Sequence, residues 1–231
     1  MPNTFFQFKQ FIVHQDKCSM KVSTDACLLG AWSTLASTAN SILDIGTGTG
    51  VLSLMLAQKN KEAKIDAVEI EHDAFLQASE NFNNSIFRNQ ITCYHQSIQD
   101  FATTTNKRYD VIISNPPYFE GDLKANNTKD NLAKHSAALS LEELINCIHQ
   151  LLTDDGVAFI ILPLHRINEI KLPLEKICFI QDNPKANIKR AMVKLSKTTT
   201  TINEETLLLK DENGNYTKDF IELMKQYYLF L

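Results

Sequence analysis

Between Ser41 and about Lys197 the chain alternates short β-rich runs with amphipathic helical stretches, and this alternation limits its fold more than any other feature. Strands are predicted at Ile42–Ile45, Lys64–Ile70, Ile91–Tyr94, Tyr109–Ser114 and Val157–Leu162. Helices are predicted over Gly50–Lys59, Asp73–Asn83 and Leu141–Thr153, with Ser140 as the N-cap of the last. Strands spaced by single helices pair in parallel through right-handed crossovers, which gives a doubly wound, mostly parallel α/β sheet. Two further β-like runs, Ile177–Gln181 and Ile188–Ser196, have only the turn formers Asp182-Asn183-Pro184 between them, so they are expected to form an antiparallel pair. Residues 5–40 are too few for an independent domain, and Tyr216–Tyr228 reads as a final helix docked through Phe220, Tyr227 and Tyr228. One domain is therefore expected over 1–231, with a core at 41–197, an N-terminal extension at 1–40 closing the pocket, and a C-terminal extension at 198–231.

Composition excludes several classes of function. No apolar run approaches the roughly 20 residues that cross a bilayer, and Met1–Phe6 lacks the pattern of a secretion signal. Cys18, Cys27, Cys93, Cys147 and Cys178 are odd in number and scattered, which disfavours a disulfide framework or a zinc site and fits reduced thiols in the cytosol. His14, His72, His95, His149 and His165 show neither metal nor triad spacing. The net charge of −4 provides no global basic field, so any nucleic-acid contact must be local. The densest basic segment is Lys185, Lys189, Arg190, Lys194 and Lys197: a candidate phosphate track or a solvated strand face, with Lys124, Lys129 and Lys134 next in line.

Leu43-Asp44-Ile45-Gly46-Thr47-Gly48-Thr49-Gly50 is a strand running into a glycine turn that opens a helix. Gly46, Gly48 and Gly50 allow positive φ and close approach of backbone to a ligand, and the helix N-terminus supplies N–H donors. Glu69 ends the next strand, where a carboxylate can hold both hydroxyls of a ribose. A dinucleotide oxidoreductase shares this logic, but G-x-G-x-G lacks the G-x-x-G tail of a pyrophosphate site. Asp44, two residues before the first glycine, also suits the cationic amino end of S-adenosylmethionine. After the third strand, Ser97 stands where an acid for the adenine amino group would be expected.

The fourth strand ends in Asn115-Pro116-Pro117-Tyr118. Each proline fixes φ and removes a donor, so the strand stops there. The Asn115 side-chain carbonyl and the Pro116 backbone carbonyl can then accept both N–H bonds of an exocyclic amine. Tyr118, or Phe119 beside it, can stack on a flipped base. The bland alternative is a strand terminator followed by a surface tyrosine.

With both motifs placed, the chain resembles the tRNA1(Val) (adenine(37)-N6)-methyltransferase family nearly end to end. The likeness runs from Phe8-Lys9-Gln10-Phe11 and Asp16–Asp25 through Leu28-Leu29-Gly30-Ala31-Trp32, the glycine loop and Asn115–Tyr118 to Asn215-Tyr216 and Tyr227–Leu231. The resemblance implies a seven-stranded, Rossmann-like class I methyltransferase sheet with an antiparallel last strand. It also implies a cytoplasmic, monomeric enzyme that uses S-adenosylmethionine to methylate N6 of adenine 37 in one valine tRNA, with no metal and no membrane. Asn115, Pro116 and Tyr118 would be catalytic, and Asp44, Gly46, Gly48, Gly50, Glu69, Ser97, Asn115 and Thr24 would bind cofactor. Thr24 or Asp25 could equally be the N-cap of a helix over Ala26–Leu35. Departures from the family pattern are Ser97 and Ala133-Lys134-His135-Ser136. Glutamine methyltransferases, which share the Asn-Pro-Pro-Tyr chemistry, carry a helical substrate domain before the glycine loop for which 40 residues leave no room, and DNA adenine methyltransferases usually bring a large target-recognition region that is missing here. The alternatives are an N-methyltransferase acting on another RNA or on a protein glutamine amide and, from another class, a non-catalytic SAM-binding RNA module.

Overall fold

A computed structural model describes residues 3–117, 139–198 and 201–231. Its centre is an eight-stranded sheet with the order β10-β8-β9-β7-β6-β3-β4-β5. The strands are β3 (Ser41–Ile45), β4 (Lys64–Glu69), β5 (Ile91–His95), β6 (Tyr109–Ser114), β7 (Leu152–Pro163), β8 (Leu174–Gln181), β9 (Arg190–Ser196) and β10 (Asn203–Leu208). A separate two-stranded ribbon pairs β1 (Phe5–Gln7) with β2 (Ile12–His14). β9 runs antiparallel to both β7 and β8, and the other pairings within the eight-stranded sheet are parallel, so the expected terminal pair forms.

The sheet has eight strands rather than the seven expected. β10 pairs in parallel with β8 at the edge, and residues 203–206 are all exposed, so neither a hydrophobic alternation nor a buried run marks it in the sequence. The helix expected over 141–153 stops at Leu151, and Leu152 is already paired with Tyr109, so β7 begins where the helix ends. A short helix, α4 (Ile98–Thr104), was not foreseen, and the final helix is only Lys218–Met224.

Side chains alternate across each strand with period two, which divides the interior into two cores. Ile42, Val111, Ile113, Phe159 and Ile161 face α1 (Thr24–Trp32), α2 (Val51–Lys59), α3 (His72–Asn83) and the terminal segments. Leu43, Ile45, Ile112, Ala158 and Ile160 face α4 and α5 (Leu141–Leu151). α2 is buried from Val51 through Ala57, because the sheet lies beneath it and α1 packs on it. α1 in turn packs against α6 (Lys218–Met224), and Phe8, Phe220 and Tyr228 complete this outer layer. Ser23, not Thr24 or Asp25, caps α1: its side chain accepts the Ala26 N–H at 3.1 Å, which leaves Thr24 as the first helical residue.

Candidate active site

The C-terminal ends of β3, β4 and β6 open into a cavity of about 390 Å³, a volume suited to a small ligand. Its floor is Gly46–Thr49, its sides are Glu69–Glu71, Gln96–Gln99 and Ser114–Pro117, and its outer wall is Cys18–Lys21 with Ala26.

The three glycines divide between two tasks. Gly46 and Gly48 have φ of +68° and +56°, and a Cβ on either would meet nothing within 4 Å. They keep the cavity floor low and bare. Gly50 has φ +84°, and a Cβ there would lie 2.4 Å from the Phe82 ring, so this glycine answers to packing against α3. It is not part of the cavity lining.

Glu69, 8% exposed, ends β4 with both oxygens directed by backbone. Oε2 accepts the Gly48 N–H at 2.8 Å and Oε1 accepts the Glu71 N–H at 2.9 Å. A carboxylate has about four lone-pair sites, so capacity remains for a ligand hydroxyl.

Asp44 behaves differently. Strand alternation turns it under α2, where it is fully buried and does not line the cavity. Its Oδ2 accepts from Thr47 Oγ1 at 2.6 Å and Ser53 Oγ at 2.7 Å, clasping the glycine turn to the first turn of α2, while buried Oδ1 has no partner among the described residues. Desolvation pushes its pKa up to about 6, against the lowering effect of the Thr47 and Ser53 hydrogen bonds.

Ser97 lines the cavity as the N-cap of α4; it accepts the Asp100 N–H at 3.0 Å and donates to Asp100 Oδ2 at 2.7 Å. Asn115 and Pro116 are half-buried in the cavity side. The strand end that carries them is pinned by Ser114 Oγ donating to the Ile45 carbonyl at 2.9 Å. Thr24 is exposed and does not line the cavity. Gly46, Gly48, Glu69, Ser97, Asn115 and Pro116 thus meet in one cavity, while Asp44, Gly50 and Thr24 stand behind or beside it. Tyr118, Phe119, Lys124, Lys129, Lys134 and Ala133–Ser136 lie outside the described residues.

Two side chains unremarked in the sequence hold the outer wall. Asn81 on α3, 1% exposed, accepts the His14 N–H at 2.9 Å and donates to the carbonyls of His14 and Thr49, both at 2.8 Å. One amide therefore joins β2, α3 and the glycine turn. One helical turn earlier, Gln77 Oε1 accepts the Lys17 N–H at 3.0 Å. The signal was present: Gln77 and Asn81 fall four residues apart on the face that buries Ala74, Ala78 and Phe82, where polar groups must find partners.

The expected phosphate track is largely spent on internal pairs. Arg190 reaches Asp25 Oδ1 at 2.7 Å and Asp182 Oδ1 at 2.9 Å, Lys194 pairs with Glu175 at 2.5 Å, and Lys197 donates to the Leu152 carbonyl at 2.8 Å. Lys185 and Lys189 remain exposed. Among the described residues there is no cluster of three or more metal-ligand side chains, and no helix is long and apolar enough to cross a membrane. All five cysteines are free.

A bare glycine floor, a strand-end carboxylate and walls that include Met20, Leu52, Val68 and Ile70 fit an amphipathic nucleoside carrying ribose hydroxyls. The Methyltransferase small domain family matches residues 24–160. The structure is similar in fold to a predicted O-methyltransferase from Agrobacterium tumefaciens, with TM-score 0.70 and 17% identity over 88% of this chain and 96% of that one. A type I restriction-modification methyltransferase subunit from Streptococcus thermophilus gives TM-score 0.60 at 17% identity over 90% of this chain and 52% of that one. Sequence likeness is far stronger to the tRNA1(Val) (adenine(37)-N6)-methyltransferase of Dyadobacter fermentans, 42% identical over 98% of both chains. That of Pseudoalteromonas translucida is 41% identical over 97% of this chain and 98% of its own. The chain is a methyltransferase and belongs to the tRNA1(Val) (adenine(37)-N6)-methyltransferase family.

Proposed function

We propose that this chain methylates the exocyclic N6 of adenine 37, beside the anticodon of tRNA1(Val), with S-adenosylmethionine as donor. The observation that carries the reading is that Asn115 and Pro116 share one cavity with the Gly46–Gly48 floor and Glu69. S-adenosylmethionine supplies a methyl group made electrophilic by its sulfonium. Glu69, already oriented by the N–H groups of Gly48 and Glu71, would hold the ribose hydroxyls, and the open glycine floor would lie against the methionine end. Ser97 and the Gln96–Gln99 stretch, which line the same cavity, would meet the adenine of the donor.

The N6 lone pair of the target is delocalised into its ring. The Asn115 side-chain carbonyl and the Pro116 backbone carbonyl would accept its two N–H bonds and favour the pyramidal, nucleophilic form. No strong base is required, because the proton can leave after methyl transfer, and rate comes from orientation and preorganised dipoles. Tyr118 is assigned the stacking of the flipped base. The reading extends to a cytoplasmic monomer, supported by five free cysteines suited to a reducing compartment.

Asn115→Ala is expected to lower kcat by on the order of 10²–10³, with the affinity for S-adenosylmethionine nearly unchanged by calorimetry. Glu69→Ala is expected to do the reverse, weakening that affinity first. Mass spectrometry of tRNA nucleosides from a deletion strain should show loss of N6-methyladenosine at position 37 of the valine tRNA. Near-wild-type turnover by Asn115→Ala would overturn the mechanism.

A further inference from the structure

We propose that Lys185, Lys189 and Lys210 form a grip for RNA phosphates on the cofactor edge of the sheet, with Arg190 as its internal brace and not as a contact. The inference rests on the tRNA-methylating reading and adds the surface by which the RNA is held.

Topology puts these residues on the same edge of the sheet as the active site. β7 is parallel to β6, so Pro163 lies at the same edge as Asn115, and Arg190 stands opposite Pro163 in the β7–β9 register. The Lys189 carbonyl accepts the Leu164 N–H at 2.8 Å, and the Lys210 N–H donates to the Asp182 carbonyl at 3.2 Å, which brings the segment after β10 onto the same edge. Arg190 then joins this edge to the cavity: Asp25 sits in the first turn of α1, one residue before the cavity-lining Ala26.

Charge distribution separates these lysines from their neighbours. On the adjoining strands Lys176 pairs with Glu205, Lys194 with Glu175, and Lys197 with Asp154. Lys185, Lys189 and Lys210 are exposed and form no ion pair among the described residues. The nearest acids are mostly committed. Asp182 is held by Arg190, and Asp211 Oδ1 accepts the N–H groups of Asn213 and Asn215, both at 2.9 Å. Exposed Glu212 bounds the basic stretch on that side.

The turn bearing Lys185 and Lys189 is itself built. Asn183 Oδ1 accepts the Lys185 N–H at 3.0 Å, the Asn183 carbonyl accepts the Ala186 N–H at 2.9 Å, and Gln181 Nε2 donates to the Ala186 carbonyl at 3.0 Å. Beside it, Lys210 Nζ lies 5.3 Å from the centroid of the Tyr216 ring, which stacks on Phe220 at 4.3 Å, so the ring holds this cation at the surface. A polyanion such as the phosphate backbone of RNA is the partner such a surface suits.

The test uses full-length protein and a transcribed valine tRNA. Wild-type enzyme is first incubated with tRNA and S-adenosylmethionine, and the nucleosides are analysed. Absence of N6-methyladenosine would refute the reading on which this inference stands. Given methylation, the Lys185→Ala/Lys189→Ala double variant and Lys210→Ala are titrated with tRNA across a salt series. The double variant should weaken binding about 10-fold or more and reduce the log–log salt slope by about 1.4–1.8, and Lys210→Ala should reduce it by about 0.7–0.9. S-adenosylmethionine affinity should stay at the wild-type value. Arg190→Ala combined with Asp182→Asn, which removes the brace without freeing the Asp182 carboxylate, should lower the melting temperature and keep the salt slope. Lysine variants with wild-type slope and affinity, or an Arg190 variant whose slope falls, would overturn the proposal.

Discussion

The two faces of the sheet are built to different depths. On one, α4 and α5 make a single layer, and α5 shows it: Leu141, Leu144, Ile145, Ile148 and Leu151 are buried while Glu142, Glu143 and Gln150 stay out of the core. On the other, α2 is buried on all sides beneath a further layer made from the two ends of the chain. Single-layer helices need one apolar stripe, and a helix between layers needs apolar residues all round. The deeper face is also the one that supplies the outer wall of the cavity, through Cys18–Lys21 and Ala26. The difference teaches that the N-terminal segment is part of the cavity wall as well as of the core.

The largest effects should separate the faces by what they leave intact. Ile148→Ala on α5 and Leu29→Ala on α1 each remove a side chain with 0% exposure and should each cost about 2–5 kcal/mol of stability. Below the unfolding transition, Ile148→Ala should bind S-adenosylmethionine normally, whereas Leu29→Ala, in the layer that carries Ala26, should bind it more weakly. Equal cofactor affinities in the two variants, measured by calorimetry, would erase the distinction.

Asp44 tests the deep face through pH. Its folded pKa of about 6 lies above the unfolded value near 3.9, so the folded state keeps its proton over a range where the unfolded chain has lost it. The stability from this group is fully present below about pH 4 and is lost as pH rises through about 6, a change on the order of 2–3 kcal/mol. Asp44→Asn should remove this slope from a series of denaturant melts between pH 4 and 7, whatever it does to absolute stability. An unchanged slope would mean that Asp44 titrates as an ordinary carboxylate.

Asn81 sharpens the comparison further, since it ties the outer layer to the glycine turn. Asn81→Ala leaves the Thr49 carbonyl and both backbone groups of His14 without their side-chain partner. Loss of buried hydrogen bonds should cost about 1–3 kcal/mol. The KM for S-adenosylmethionine should rise while kcat at saturation stays close to wild type. A fall in kcat alone would remove Asn81 from the cofactor wall.

Legibility in the sequence followed the same division. The strands from Ile42 to Leu162 were readable because parallel strands buried on both faces are continuous apolar runs, and the glycine turn, Glu69 and Asn115-Pro116 were readable because their spacing along those strands places them at one edge. β10 escaped because Asn203–Thr206 pair through backbone at an exposed edge and carry no hydrophobic pattern. Asp44 looked like a ligand because a motif shows sequence position but not direction; only the strand alternation that turns it under α2 assigns it to Thr47 and Ser53. Arg190 looked like a phosphate contact because its partners, Asp25 and Asp182, are brought together only by the fold.

The smallest predicted effect probes where the shallow face touches the site. Ser140 closes a capping box at the start of α5: its side chain accepts the Glu143 N–H at 3.2 Å, and Glu143 Oε2 accepts the Ser140 N–H at 2.8 Å. The Ser140 hydroxyl and N–H also hold the Glu143 carboxyl below its usual pKa. Ser140→Ala removes one of these two reciprocal bonds and should cost about 1 kcal/mol, seen as a lower denaturant midpoint with unchanged m. The residue before it, Leu139, both packs on the α4–α5 core and lines the cavity. If the shallow face only supports the site, fraying at this cap should leave cofactor affinity within about twofold of wild type, an effect under RT ln 2 or about 0.4 kcal/mol. A larger loss of affinity would make the first turn of α5 part of the cavity wall, and the two faces would then differ in depth but not in their hold on the cofactor.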